Sequence, residues 1–247
     1  MRRSTDRILT THTGSLPRAA DLTATLEALD AGTAPETAAF QARVRAAVGD
    51  IVRKQVAVGV DLVSDGEQGK VGYSTYVRHR LTGFDGTSLV RARPDWADFP
   101  EASKREPRST VSRPSCTGPI DWKDRGAVGR DLANLQAALA GSGATEGFMT
   151  AASPGVIAHF LRNEHYPSRE AYLARLVDVM KEEYDAIHRA GFVLQVDCPD
   201  LAMSRHLAFP DNTQRTSNML LSLLHLYDID VDKIGTSNGR LQPLEMF

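Results

Sequence analysis

The sequence is short of cysteine, of long apolar runs and of excess charge, and each shortage excludes a class of protein. Two cysteines, Cys116 and Cys198, among 247 residues do not make a disulfide framework, so free thiols in a reducing, cytoplasmic setting are expected. No run approaches the ~18 apolar residues of a membrane span. The basic start MRRSTDR leads into ILTTHTGS, not into the apolar stretch of a signal peptide. With 29 basic against 31 acidic residues, neither a nucleic-acid surface nor an acidic tail is indicated, and small molecules are the expected partners. No linker separates two halves, and 42% hydrophobic residues suffice for the core of one large α/β domain or two ordinary ones.

What is present is a repeated strand and helix order. Ile8 to His12 is β-rich and is cut off by Gly14 and Pro17, which predicts a strand ending in a loop, with a helix after it. Residues Thr37 to Val58 carry Phe40, Val44, Val48, Ile51, Val52 and Val56 near helical spacing, and Gly59 ends that helix. Val60 to Val63 is then a short strand broken by the Asp65-Gly66-Glu67 turn. The same phrase recurs as a helix from Leu173 to Ala190, Gly191 as its cap, a strand from Phe192 to Val196, and Asp197. Weaker strands are expected at Thr110 to Cys116 and Gly147 to Ala151, with a helix from Arg130 to Ala140 between them. Strand then helix, repeated, predicts parallel strands joined by right-handed crossovers, as in a barrel or a doubly wound sheet. The segment from Thr82 to Arg108, rich in Arg, Asp, Pro and Trp, reads as a long excursion serving the site.

The polar residues that end these strands are His12 with Gly14 and Ser15, Asp65 with Glu67, Cys116, Thr150 with Ser153, and Asp197 with Cys198. In a parallel barrel all would lie on the face that carries chemistry. Each also has an ordinary explanation. His12 reads equally as a strand-end histidine bonded to backbone, Asp65-Gly66-Glu67 as a solvated turn, and Asp197 as a cap before Pro199.

Three stretches in order, TTHTGSLPR, GVDLVSDGEQGK and AGFVLQVDCPDLAM, resemble the catalytic domain of cobalamin-independent methionine synthase and its shorter zinc-dependent, thiol-alkylating relatives. The stretch MTAASPGVIAHFLRNEHYPSREAYLARL extends the likeness, which runs from about Arg7 to Asn212. The resemblance implies a (β/α)8 barrel of the TIM type that moves a methyl group from a methyl-folate to the sulfur of homocysteine. Zinc would hold the thiol as thiolate, because a thiol is a poor nucleophile until deprotonated. It further implies that Gly14 and Ser15 bind the amino-acid substrate through backbone and hydroxyl. Glu67 would grip its ammonium group, and Asp197, the expected catalytic residue, would face it as well. His12 joins these as a substrate-side candidate.

The sequence departs from the family in three places. Cys198 stands where the long methionine synthases carry an acid, and it reads as a packed small residue, not a zinc ligand. No His-x-Cys occurs anywhere, so none of these residues is assigned to metal. After Asn212 the segment TQRTSNMLLSLLHLYDIDVDKIGTSNGRLQPLEMF matches nothing in the barrel, which divides the chain into a barrel-like part, 1–212, and a divergent tail, 213–247. About five strand-helix units fit before that tail, and three more would need ~30 residues each. An incomplete barrel leaves strand edges that invite a second copy or a complementing chain. Two readings result: a thiol methyltransferase of methionine biosynthesis, impaired alone for want of its zinc strands, or a non-catalytic, truncated or fused remnant that binds a small molecule or a partner chain. A metal-free decarboxylase-type barrel is weaker, because the Asp-Cys-Pro strand argues against it.

Overall fold

The structure is a computed structural model and describes residues 4–88 and 113–199. The two longest helices form where apolar spacing and a capping residue coincide. Helix α1 spans Ala20–Asp30. Helix α2 spans Ala38–Ala57, and the Thr37 side chain accepts a hydrogen bond from the Phe40 N–H, which satisfies one of the donors left open at a helix start. Its Phe40, Val44, Val48, Ile51 and Val52 are buried, the face read from spacing. A single turn, α3, covers Val77–Arg80, and α4 spans Gly126–Leu139. Helix α5, Pro154–Phe160, has Ser153 as its cap and proline at its start, where the missing N–H costs nothing. Helix α6, Arg169–Arg189, starts on the Ser168 cap.

Three strands, β1 (Leu62–Val63), β4 (Glu146–Ala152) and β5 (Val193–Asp197), form a parallel sheet in the order β1-β4-β5. Leu62 pairs with Glu146, and Phe148 through Ala152 pair with Val193 through Asp197. That register sets Asp197 beside Ala152 at the carboxyl end of the sheet. The remaining strands, β2 (Phe84–Ser88) and β3 (Arg113–Cys116), form a separate antiparallel ribbon.

Several expectations are corrected. Among the described residues no barrel closes, and the sheet holds three strands. Ile8 to His12 is not a ladder strand: the Thr10 carbonyl accepts from the N–H groups of Asp61 and Leu62, but the Thr10 N–H goes to the Asp61 carboxylate, at 2.8 Å. A side chain has taken the place of the next ladder bond. The strand expected at Thr110 to Cys116 exists from Arg113 onward, but it pairs with Phe84–Ser88, so the start of the expected excursion is itself a strand. Residues 89–108 of that excursion, residues 110–112 of the expected strand and the tail from 213 lie outside the described residues.

Two apolar clusters hold these elements. One packs α1, α2, α4 and the end of α6 on the sheet through Leu22, Val52, Val63, Leu135, Met149 and Ile187. The other packs α5 and α6 on the ribbon through Leu81, Cys116, Ile157, Leu161, Leu176 and Met180. Each fully buried side chain of this size contributes roughly 1.5–3 kcal/mol. A polar network crosses the interior. The Arg80 guanidinium donates to Glu183 at 3.0 Å and also pairs with Asp131, while its flat face lies 4.6 Å from the centre of the Tyr76 ring. The Tyr76 hydroxyl donates to Glu183 at 2.6 Å and accepts from the Ala152 N–H at 3.2 Å. Glu183 is 1% exposed, so its charge is met almost wholly by Arg80 and Tyr76.

Candidate functional site

The site grows from two segments that run side by side at a nearly constant separation in sequence. Thr10 meets Asp61, the Thr11 hydroxyl donates to the Leu62 carbonyl, His12 meets Ser64, Ser15 meets Glu67 and Arg18 meets Lys70, all 51 or 52 residues apart. These contacts run largely through side chains, which is why an alternating β pattern at 8–12 yields a laced segment and not a strand. The lacing is anchored by Arg7, whose guanidinium bonds both oxygens of Asp61 and holds that carboxyl well below its ordinary range.

Beyond β1 the chain turns sharply and its own side chains satisfy its backbone. The Ser64 hydroxyl accepts from the Gly66 N–H at 3.0 Å, and the Asp65 carboxylate accepts from the Glu67 N–H at 2.9 Å. Gly66 and Glu67 both adopt the left-handed region, with φ of 60° and 57°. For glutamate that conformation is strained and is kept only when the surroundings impose it. Asp65 and Glu67 are 3% and 1% exposed, which removes the solvated-turn reading of this triplet.

The turn delivers the Glu67 carboxylate into a frame of donors. Ser15 Oγ donates to Oε2 and Thr150 Oγ1 donates to Oε1, the latter at 3.1 Å. Behind Thr150, the Lys70 ammonium donates to its carbonyl at 2.6 Å and approaches its hydroxyl at 3.4 Å. It also lies 4.6 Å from the Tyr76 ring centre. Arg18 bonds the carbonyls of Glu67 and Lys70 and fixes the loop from outside, with burial pulling its guanidinium pKa down.

Asp197 comes to the same place from β5. Its carbonyl accepts from the Ser153 N–H at 2.9 Å, and its carboxylate accepts from the Gln195 amide at 3.1 Å, so it tethers the start of α5; the segment after Pro199 that it is expected to cap lies outside the described residues. Burial, opposed by the Gln195 bond, pushes the Asp197 carboxyl above its usual range; the Glu67 charge adds to the rise and Lys70 counters it. His12 places Nε2 3.0 Å from the Ser64 hydroxyl and its ring 5.4 Å from Phe148, with Nδ1 buried and unpaired. It therefore bonds a side chain, not backbone, and braces the turn. Gly14 takes a φ of 80° with open space where a Cβ would stand. Tyr73 lies near these carboxylates, with burial and both charges pushing its hydroxyl pKa up, and its ring meets Phe160 edge-on at 5.9 Å.

The expected strand-end constellation is thus divided. Ser15, Glu67 and Thr150 are bonded together, with Asp197 beside them; Cys116 is elsewhere, fully buried in the ribbon, its thiol 3.5 Å from the Gly118 carbonyl and pushed up to about 11 by burial. Cys198 places its sulfur 3.4 Å from the Val196 carbonyl. Local sequence pattern gives no sign of Lys70, because its significance rests on a contact with Thr150 across 80 residues. Among the described residues no group of three or more His, Cys, Asp or Glu is placed to hold a metal. The described residues do not fit zinc.

Comparison with known proteins bears on this lacing directly. Residues 8–97 match the family model for the cobalamin-independent synthase, catalytic domain. The match spans both laced segments and the Glu67 turn, and it agrees with the resemblance carried by TTHTGSLPR and GVDLVSDGEQGK. No curated protein matches the chain. Among solved structures, a B12-independent methionine synthase from Shewanella sp. W3-18-1, in complex with selenomethionine, is similar with a TM-score of 0.54 and 23% identity over 67% of this chain and 44% of that one. A putative vitamin-B12 independent methionine synthase from Listeria monocytogenes is similar with a TM-score of 0.53 and 21% identity over 87% of this chain and 61% of that one. At such identities the likeness establishes a shared fold, and this chain spans only about half the length of these synthases. No helix among the described residues is long and apolar enough to cross a membrane.

Proposed function

We infer that this chain carries the amino-acid-binding half of a cobalamin-independent, methionine-synthase type methyltransferase, which transfers a methyl group to the thiol of homocysteine with a methyl-folate as donor. The reading takes the incomplete α/β sheet as part of a TIM-type barrel. The observation that carries it is the Glu67 carboxylate, buried, strained in backbone and held by Ser15 and Thr150, with Asp197 facing the same space. Two converging carboxylates suit the ammonium end of an amino acid, since charge-assisted hydrogen bonds are the strong ones and a partly dehydrated site strengthens them. Ser15 orients the carboxylate, and the Gly14 turn leaves room for a ligand at the loop. The family match over 8–97 and the selenomethionine complex of the Shewanella synthase support the amino-acid class.

Zinc would supply the thiolate chemistry, and since this sequence has no His-x-Cys its ligands would come from a complementing chain. Calorimetric titration of the full chain with L-methionine and with L-homocysteine tests the reading. Binding to the wild type and a loss of about tenfold to a hundredfold in Glu67→Gln are expected, because a hydrogen bond to a charged group is worth ~1.5–3 kcal/mol. Equal affinity in the two proteins, or no binding by the wild type, would refute it.

A further inference from the structure

The interior cation beside the two carboxylates has no part in the amino-acid reading of the site. Lys70 is 3% exposed, and burying an ammonium is costly unless it is paired and hydrogen-bonded. The bonds described run to the neutral oxygens of Thr150 and to the face of Tyr76, which orient the ammonium, and its charge acts on Asp131 from one side as well as on Asp197 from the other. The Thr150 hydroxyl that Lys70 approaches is the one that donates to Glu67, and its charge acts on Asp197 in the opposite sense to that of Glu67. Lys70, Thr150, Glu67 and Asp197 therefore form one electrostatic unit spanning the turn, β4 and β5.

We propose that Lys70 is a positioning residue whose fixed positive charge offsets the repulsion between Glu67 and Asp197, so that both carboxylates stand ready for an ammonium-bearing ligand before it arrives. The inference rests on the amino-acid reading of the site for the ligand, but not for the charge coupling itself. The groups facing Asp197 are Glu67, Lys70 and Tyr73 from the turn and the segment after it, and Gln195 from β5; Cys198 adjoins it, and Arg113 of β3 acts on Tyr73 beyond.

The test is a carbon-13 NMR titration of aspartate-labelled full chain, with the Asp197 signal assigned by Asp197→Asn. In Lys70→Gln, which keeps a donor and removes the charge, the Asp197 midpoint rises by about one pH unit, the low end of what a neighbouring opposite charge produces. In Lys70→Arg, which restores the charge, it stays close to wild type. A purely structural lysine would leave the midpoint of a folded Lys70→Gln protein in place, and that result overturns the proposal. If Lys70→Gln does not fold, Glu67→Gln tests the repulsion that Lys70 is proposed to offset: with that carboxylate removed the Asp197 midpoint falls, and no movement would mean there is no repulsion to offset and overturns the proposal. The measurement needs no ligand. A wild type that ignores L-methionine therefore counts against the proposed function and leaves this coupling standing or falling on its own data.

Discussion

Replacing Arg80 by methionine should be the most damaging single change away from the candidate site. Arg80 is 7% exposed and Glu183 1%, and both the Glu183 and Asp131 carboxylates close on its guanidinium. Methionine fills most of the volume, but it leaves Glu183 with only the Tyr76 hydroxyl and removes the described partner of Asp131. Breaking a buried pair from one side costs about 3–5 kcal/mol, and in a domain of this size each kcal/mol moves the melting temperature by ~2–4 °C. Arg80→Met should therefore melt roughly 6–20 °C lower by circular dichroism. The loss should also depend on pH. Burial pushes the Asp131 carboxyl above its ordinary range, with Arg80 as the main opposing charge. A raised carboxyl contributes stability at low pH that is lost as pH rises through its folded-state value, and without Arg80 that value climbs further. Arg80→Met should be weakened more at pH 8 than at pH 4. Adding Glu183→Gln to Arg80→Met should recover part of the loss, as a double-mutant cycle on a coupled pair shows. A loss under about 1 kcal/mol, the range of exposed ion pairs, or the same loss at both pH values would show that water reaches these charges and would refute the account.

Two further outcomes are expected at the site. Gly66→Ala forces a left-handed residue to carry a Cβ 3.1 Å from Leu16 Cβ and 3.2 Å from Ile51 Cγ1, so it should lose about 1–3 kcal/mol in urea unfolding; an unchanged midpoint would show that the turn relaxes freely. Asp197→Asn should raise the melting temperature at pH 7 and leave it unchanged at pH 4. The raised Asp197 carboxyl makes the wild type lose stability as pH climbs through its folded-state value, whereas asparagine has no such dependence. A variant no more stable than wild type at pH 7 would deny that ionised Asp197 is held there at a cost.

Much of the helical framework is legible in the sequence because the signals are local. Thr37 caps α2 and its apolar spacing marks the buried face; Gly191 comes just after α6, and β1, β4 and β5 fall where apolar runs meet turn residues. The helix starts are less legible: α4 and α6 each begin four residues before the expected point, since Gly126 and Arg169 carry no apolar periodicity. Short helices α3 and α5 have too few turns to show a period at all.

For the site, the sequence by itself determined which residue types would be present: a serine after a left-handed glycine, an acid in a tight turn, and an acid at the end of a strand. Those choices reflect backbone requirements that neighbouring residues express. Only the tertiary structure decided which of them meet. Glu67 is bonded by Ser15 from 52 residues away and by Thr150 from 83, while Cys116, equally a strand-end residue by pattern, went to the antiparallel ribbon because Phe84–Ser88 supplied its pairing partner. Strand pairing and the burial of Lys70 depend on contacts between segments distant along the chain, where local pattern is silent and packing of the whole core selects the partner.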